Sequence, residues 1–150
     1  MHDREQFIPI AGFIATVAMA AYMVVQLSAQ GEKPVGDFSS AAVAEVHDAQ
    51  GRVLLRGAFA AVPEADNDIE RKARLESTGI DADAIGEAEV EVSTEPPREQ
   101  EIEFSVENLQ PGTALIFLID GQTIGSGTVD RRGRADVEID LGEPGSAASR

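Results

Sequence analysis

The groups in this chain best able to do chemistry are carboxylates: 27 Asp and Glu stand against 12 Lys and Arg, two His and no Cys. Clustered oxygen ligands suit a hard cation such as Ca²⁺. Two segments gather them, Glu64-Ala65-Asp66-Asn67-Asp68 and Asp81-Ala82-Asp83-Ala84-Ile85-Gly86-Glu87. The second opens like an EF-hand loop, with acids at positions 1 and 3 and glycine at 6. It then departs from it, because position 5 is Ile85 and position 12 is Val92, where a bidentate Glu is required. Asp66 and Asp68 in the first segment, or Asp81 and Asp83 in the second, are therefore candidate Ca²⁺ ligands of a non-EF loop, and no other cofactor is expected.

Enzymatic chemistry has less to work with. A nucleophilic dyad or triad needs a base titrating near neutrality. His2 precedes a hydrophobic segment and His47 opens a predicted tight turn; Lys33 and Lys72 lie among charges that favour solvation. Ser93, Ser105 and Ser126 lack a G-x-S-x-G elbow. Paired carboxylates could hydrolyse a glycoside. However, Glu87, Glu89 and Glu91, like Glu101 and Glu103, fall on the solvated side of predicted strands, and the chain has no Trp and one Tyr to stack on a sugar. No catalytic residue is assigned. The absence of Cys removes disulfides, thiolate metal sites and cysteine nucleophiles together.

The formal net charge is −15. Nucleic-acid affinity depends on cations displacing counterions from phosphate, so such binding is excluded. Between Glu64 and Glu107 stand 15 acidic and four basic residues. That field favours a cationic protein partner.

Phe7 to Val25 (FIPIAGFIATVAMAAYMVV) is apolar apart from Thr16 and Tyr22, and no charge falls between Gln6 and Gly31. Nineteen helical residues rise about 28 Å, close to the hydrocarbon thickness of a bilayer. Pro9 falls in the first turn, where its missing N–H would have no helical partner. A transmembrane helix is expected over 7–26, after a cytoplasmic tail at 1–6 and before a linker at 27–40. It embeds the chain in the lipid bilayer. A cleaved signal peptide is the alternative, with a cut after Ala29 and Leu27 at −3. Arg4 and the terminal amine before the segment, against Lys33 after it, give a slight bias toward a single-pass protein with its C-terminal domain outside the cytoplasm; cleavage would leave it secreted or periplasmic.

The acidic domain at 41–142 alternates apolar and polar residues with period two, the mark of half-buried strands. GEAEVEVS (86–93) turns Ala88, Val90 and Val92 one way and its glutamates the other; Glu101 to Glu107 and Ala135 to Leu141 repeat the pattern. ALIFLI (114–119) is apolar throughout, as a strand covered on both faces would be. Asn67 to Thr78 fits a short helix or a strand with Ile69, Ala73 and Leu75 inward, and strand is preferred. Asp120-Gly121 is a hairpin signal, and His47-Asp-Ala-Gln-Gly51 and Val129-Asp-Arg-Arg-Gly133 share one turn pattern. About seven strands imply an all-β antiparallel sandwich, Ig-like or similar, with a disordered tail at 143–150.

Ser105 to Ile139 carries L-x-P-G-T, then D-G, then D-x-x-G-x-A. In this it resembles uncharacterised exported bacterial β-sandwich domains. The resemblance covers about a third of the chain, implies fold and export, and brings no functional residue with it. The sequence thus points to a membrane-tethered, extracytoplasmic, non-enzymatic interaction or accessory module. The rival is a small secreted hydrolase or ligand-binding protein using clustered carboxylates. An uncleaved anchor leaves Met1 as the N-terminus of the protein recovered from the membrane fraction. N-terminal sequencing that instead starts at Gln30 would establish cleavage.

Overall fold

The computed structural model describes residues 36–63 and 68–142. The expected membrane helix at 7–26, the tails at 1–6 and 143–150, and Asp66 lie outside them. Among the described residues, no helix is long and apolar enough to cross a membrane.

The described residues are all-β. Nine strands form: β1 (Val43–Asp48), β2 (Val53–Ala58), β3 (Ala60–Ala61), β4 (Asp68–Ser77), β5 (Ile85–Ser93), β6 (Gln100–Glu107), β7 (Ala114–Ile119), β8 (Gln122–Thr128) and β9 (Ala135–Leu141). All pairings are antiparallel, along one path β8-β7-β1-β2-β4-β5-β6-β9, with β3 also on β4. The strands therefore make one nearly closed sheet. Its two ends meet without a ladder. A Cβ on Gly125 of β8 would lie 3.0 Å from Ile139 Cδ1, and one on Gly127 3.4 Å from Val137 Cγ2, so β9 side chains occupy the space these glycines leave.

Alternation decides what lines the interior. Ala88, Val90 and Val92 of β5 face Phe104, Ile102 and Gln100 of β6 in register, and all six are buried. Phe104 meets Phe117 of β7 at a centroid distance of 5.1 Å. β7 buries Leu115, Phe117 and Ile119 and keeps Ile116 and Leu118 half-covered on its other face. The ambiguous stretch before Thr78 is a strand, with Ala73 and Leu75 fully buried and Ile69 against the core. Phe38, in the stretch read as linker, is buried as well: Gln100 accepts from Phe38 N at 2.8 Å and donates to the Gly36 carbonyl at 2.9 Å.

The turns repeat one device. Asp48 Oδ1 accepts Gln50 N and Arg52 N, both at 2.9 Å, while Gly51 N donates to the Asp48 carbonyl. Asp130 does the same with Arg132 N (2.7 Å), Arg134 N (2.9 Å) and Gly133 N. Each D-x-x-G-R turn thus satisfies its own backbone donors with one short acid. At the β7–β8 hairpin both Asp120 and Gly121 have positive φ, 49° and 79°, as a type I′ turn requires. The Asp120 carboxylate also accepts the Ala42 and Val43 amides and ties this hairpin to β1.

At Gly57 β2 runs close against β4, since a Cβ there would lie 2.2 Å from the Arg74 carbonyl oxygen. Gly57→Ala forces backbone apart. Denaturant unfolding is expected to show a loss of about 2–3 kcal/mol; a neutral result would mean that β2 and β4 do not meet as described.

Candidate functional site

The outer surface of β4, β5, β6 and β9 follows from the same alternation, because whatever stands between inward apolar residues must face water. Register then sets who stands beside whom. Glu70, Glu91, Glu101 and Asp140 form one row across the four strands; Lys72, Glu89, Glu103 and Glu138 form the next; Arg74, Glu87, Ser105 and Asp136 the third. Like charges therefore oppose each other directly in the first row and through most of the second. Such pairs oppose pairing by about 0.2–1 kcal/mol each, and solvent screening keeps exposed ones near the low end. Burial on the other face contributes roughly 1.5–3 kcal/mol per large apolar side chain, so the sheet tolerates the repulsion.

Relief is local. Lys72 Nζ bridges Glu70 (2.8 Å) and Glu89 (3.2 Å), and Ser105 donates to Asp136 at 2.8 Å. The hydrogen bond from Lys72 holds Glu70 below its ordinary range. Glu89 is pushed up, chiefly by burial and further by Glu70, against the pull of Lys72. Glu101, at the centre, is also pushed up, first by desolvation and then by Glu138, Asp140, Glu91 and Glu103. Grooves between these side chains are lined by Glu87, Glu89, Glu103 and Ser105, and by Glu89, Glu91, Glu101 and Glu103.

Of the sequence-derived Ca²⁺ candidates, Asp68, Asp81 and Asp83 fall among the described residues, in two separate segments, and Asp66 lies outside them. Asp68 begins β4 opposite Ser93. Asp81 and Asp83 sit in the turn before β5, where their carbonyls accept from Ser77 Oγ and Asn108 Nδ2. Among the described residues, the acids within metal-sharing distance are Glu101, Glu138 and Asp140, with one oxygen from each inside 4.8 Å of the others. All three are exposed. Ca²⁺ takes roughly six to eight oxygens, so three such ligands would leave it largely hydrated and loosely held. This group is invisible to a search for contiguous loops, because its members come from two strands; the signal that could have found it is the shared Glu/Asp alternation of β6 and β9.

His47 is a half-buried β1 residue. Its Nε2 lies 3.1 Å from Glu45 Oε2, and Glu45 also receives Arg56 Nε at 3.3 Å. That places it in an ion-pair network on β1 and β2, away from the acidic rows. Compared with family models, curated proteins and solved structures, the chain finds no match.

The pH response follows from the directions of shift. A raised carboxyl destabilises the fold when ionised, so lowering pH through the raised values of Glu101 and Glu89 increases stability. Asp130 is lowered by the Arg134 and Arg132 amides. Asp48 is lowered because bonds from Arg52 and Gln50 outweigh its burial. Their contribution is complete above the ordinary aspartate range and disappears as pH falls through their lowered values. Melting temperature should therefore pass through a maximum on the acid side of neutrality. Glu101→Gln should raise the neutral-pH midpoint by about 2–4 °C and flatten the rise. A decline beginning directly below neutrality would contradict the repulsive row.

Proposed function

We propose that this protein is a membrane-tethered, extracytoplasmic, non-enzymatic interaction module whose acidic sheet face docks a cationic protein partner. The observation that carries the reading is the register of β5, β6 and β9, which sets Glu91, Glu101 and Asp140 side by side with Glu89, Glu103 and Glu138. A partner bearing Lys or Arg at strand spacing would relieve the repulsion that the isolated domain carries, gaining both association rate and specificity. The tether rests on the length and charge exclusion of the 7–26 segment, and would confine partners to one membrane surface and raise their effective concentration. The same reading takes the nearly closed sheet as a sandwich of Ig-like kind, supported by its antiparallel strands and short turns.

Ca²⁺ belongs to this reading as a competitor. Held loosely by Glu101, Glu138 and Asp140, it would screen the rows that a cationic segment needs. For the solubilised full chain, a basic peptide should bind with an affinity that falls roughly tenfold as ionic strength rises from about 0.01 M to 0.15 M. Neutralising Glu91, Glu101 and Glu103 together to Gln should weaken it about as much, and millimolar Ca²⁺ should do so more than an equal ionic strength of NaCl. Cross-linking in cells that always returns the protein alone would end the interaction reading.

A further inference from the structure

The alternation that turns Ile69, Ala73 and Leu75 of β4 inward turns Arg71 inward too. Its ladder neighbours are Val90 of β5, fully buried, and Ala61 of β3. The Gly36–Ala41 strap runs past it, pinned by Gln100 at Phe38 and Gly36.

Among the described residues, the buried polar side chains Asp48 and Gln100 have their hydrogen bonds. Arg71 differs. Nη1 donates to the Ser39 carbonyl over a long 3.4 Å, and Nε is buried with no hydrogen-bond partner. None of the ion pairs among the described residues includes it. In a chain with 27 acids and 12 Lys and Arg, an inward cation left unpaired is conspicuous. A guanidinium does not escape the cost of burial by losing its proton. A buried donor without an acceptor costs free energy that a partner can recover.

We propose that Arg71, beneath the strap, is a binding site for a small organic carboxylate. The planar fork of Arg matches a carboxylate with two parallel N–H···O bonds, and Nε with one Nη is a common pairing edge. The net charge favours a monoanion over phosphate or a dicarboxylate, because each further negative charge on the ligand is repelled. Ile69, partly buried on the same face of β4, supplies apolar contact for a short alkyl body. On the β3 side its ladder neighbour is the small, exposed Ala61.

The full chain in neutral detergent, titrated with sodium propionate against sodium chloride at matched ionic strength, tests this. The Arg71 Nε–H resonance, assigned by its loss in Arg71→Lys, should shift and saturate with propionate alone. The melting midpoint should rise by about 2–4 °C, and Arg71→Met should abolish that rise. A resonance that propionate leaves unmoved, or that chloride moves equally, overturns the site as an adventitious ion only; so does an undiminished rise in Arg71→Met. The resonance is read on the native chain, so the test survives a variant that does not fold.

Discussion

Strand parity is the constraint on which the rest of this structure depends. Successive residues of a strand must point to opposite faces, and β5 and β6 place Ala88, Val90, Val92, Ile102, Phe104 and Val106 on one of them, all fully buried. Once these side chains leave water, the outward positions are fixed without further choice. The acidic rows are the other side of the hydrophobic core. A slip of one residue would bury glutamates and expose valines, an exchange costing far more than the repulsion it would relieve.

The turns work to a different rule, in which short acids answer backbone amides. Asp48 and Asp130 each close a D-x-x-G-R loop through one carboxylate oxygen, and Asp120 joins the β7–β8 hairpin to β1. Their surroundings then diverge. Asp48 is buried and its second oxygen accepts from Arg52 Nε at 2.6 Å, whereas Arg134 reaches across to Glu107 at 2.9 Å. Acidity in this chain therefore has two uses: single carboxylates that order loops, and ranked ones that charge a surface.

What the sequence made legible was local. The alternations of β5, β6 and β9, the strand at Asp68–Ser77, the Asp120-Gly121 hairpin and the paired turns are all short-range patterns that the all-β structure realises. Long-range register was not legible. Nothing in GEAEVEVS says that Glu91 will oppose Glu101, or that Glu101 will oppose Asp140, since that depends on loops of different lengths and on strands far apart in the chain. Attention to contiguous acids consequently fell on Asp66, Asp68, Asp81 and Asp83, and not on Glu101, Glu138 and Asp140, which two strands bring within reach of one another. Arg71 was hidden for a related reason: in NDIERKARLEST it reads as one charge among several, and only the parity set by Ala73 and Leu75 turns it inward. Phe38 was concealed by its company of Gly, Asp and Ser, because the hydrogen bond that ties it to the sheet comes from Gln100, 62 residues away.

The seam between β8 and β9 has a consequence for life in a crowded compartment. The sheet stops one ladder short of closure, so each of these strands keeps one edge of its backbone unpaired by the other. Such edges are templates for joining a neighbouring chain, and proteins blunt them with charge or bulges. Here β8 carries a register shift beside Phe117, and β9 alternates Asp136, Glu138 and Asp140 along its length. A second copy approaching β9 edge to edge would have to bring its own acids alongside these. The acids of β9 thus oppose edge-to-edge growth of a sheet that stops one ladder short of closure.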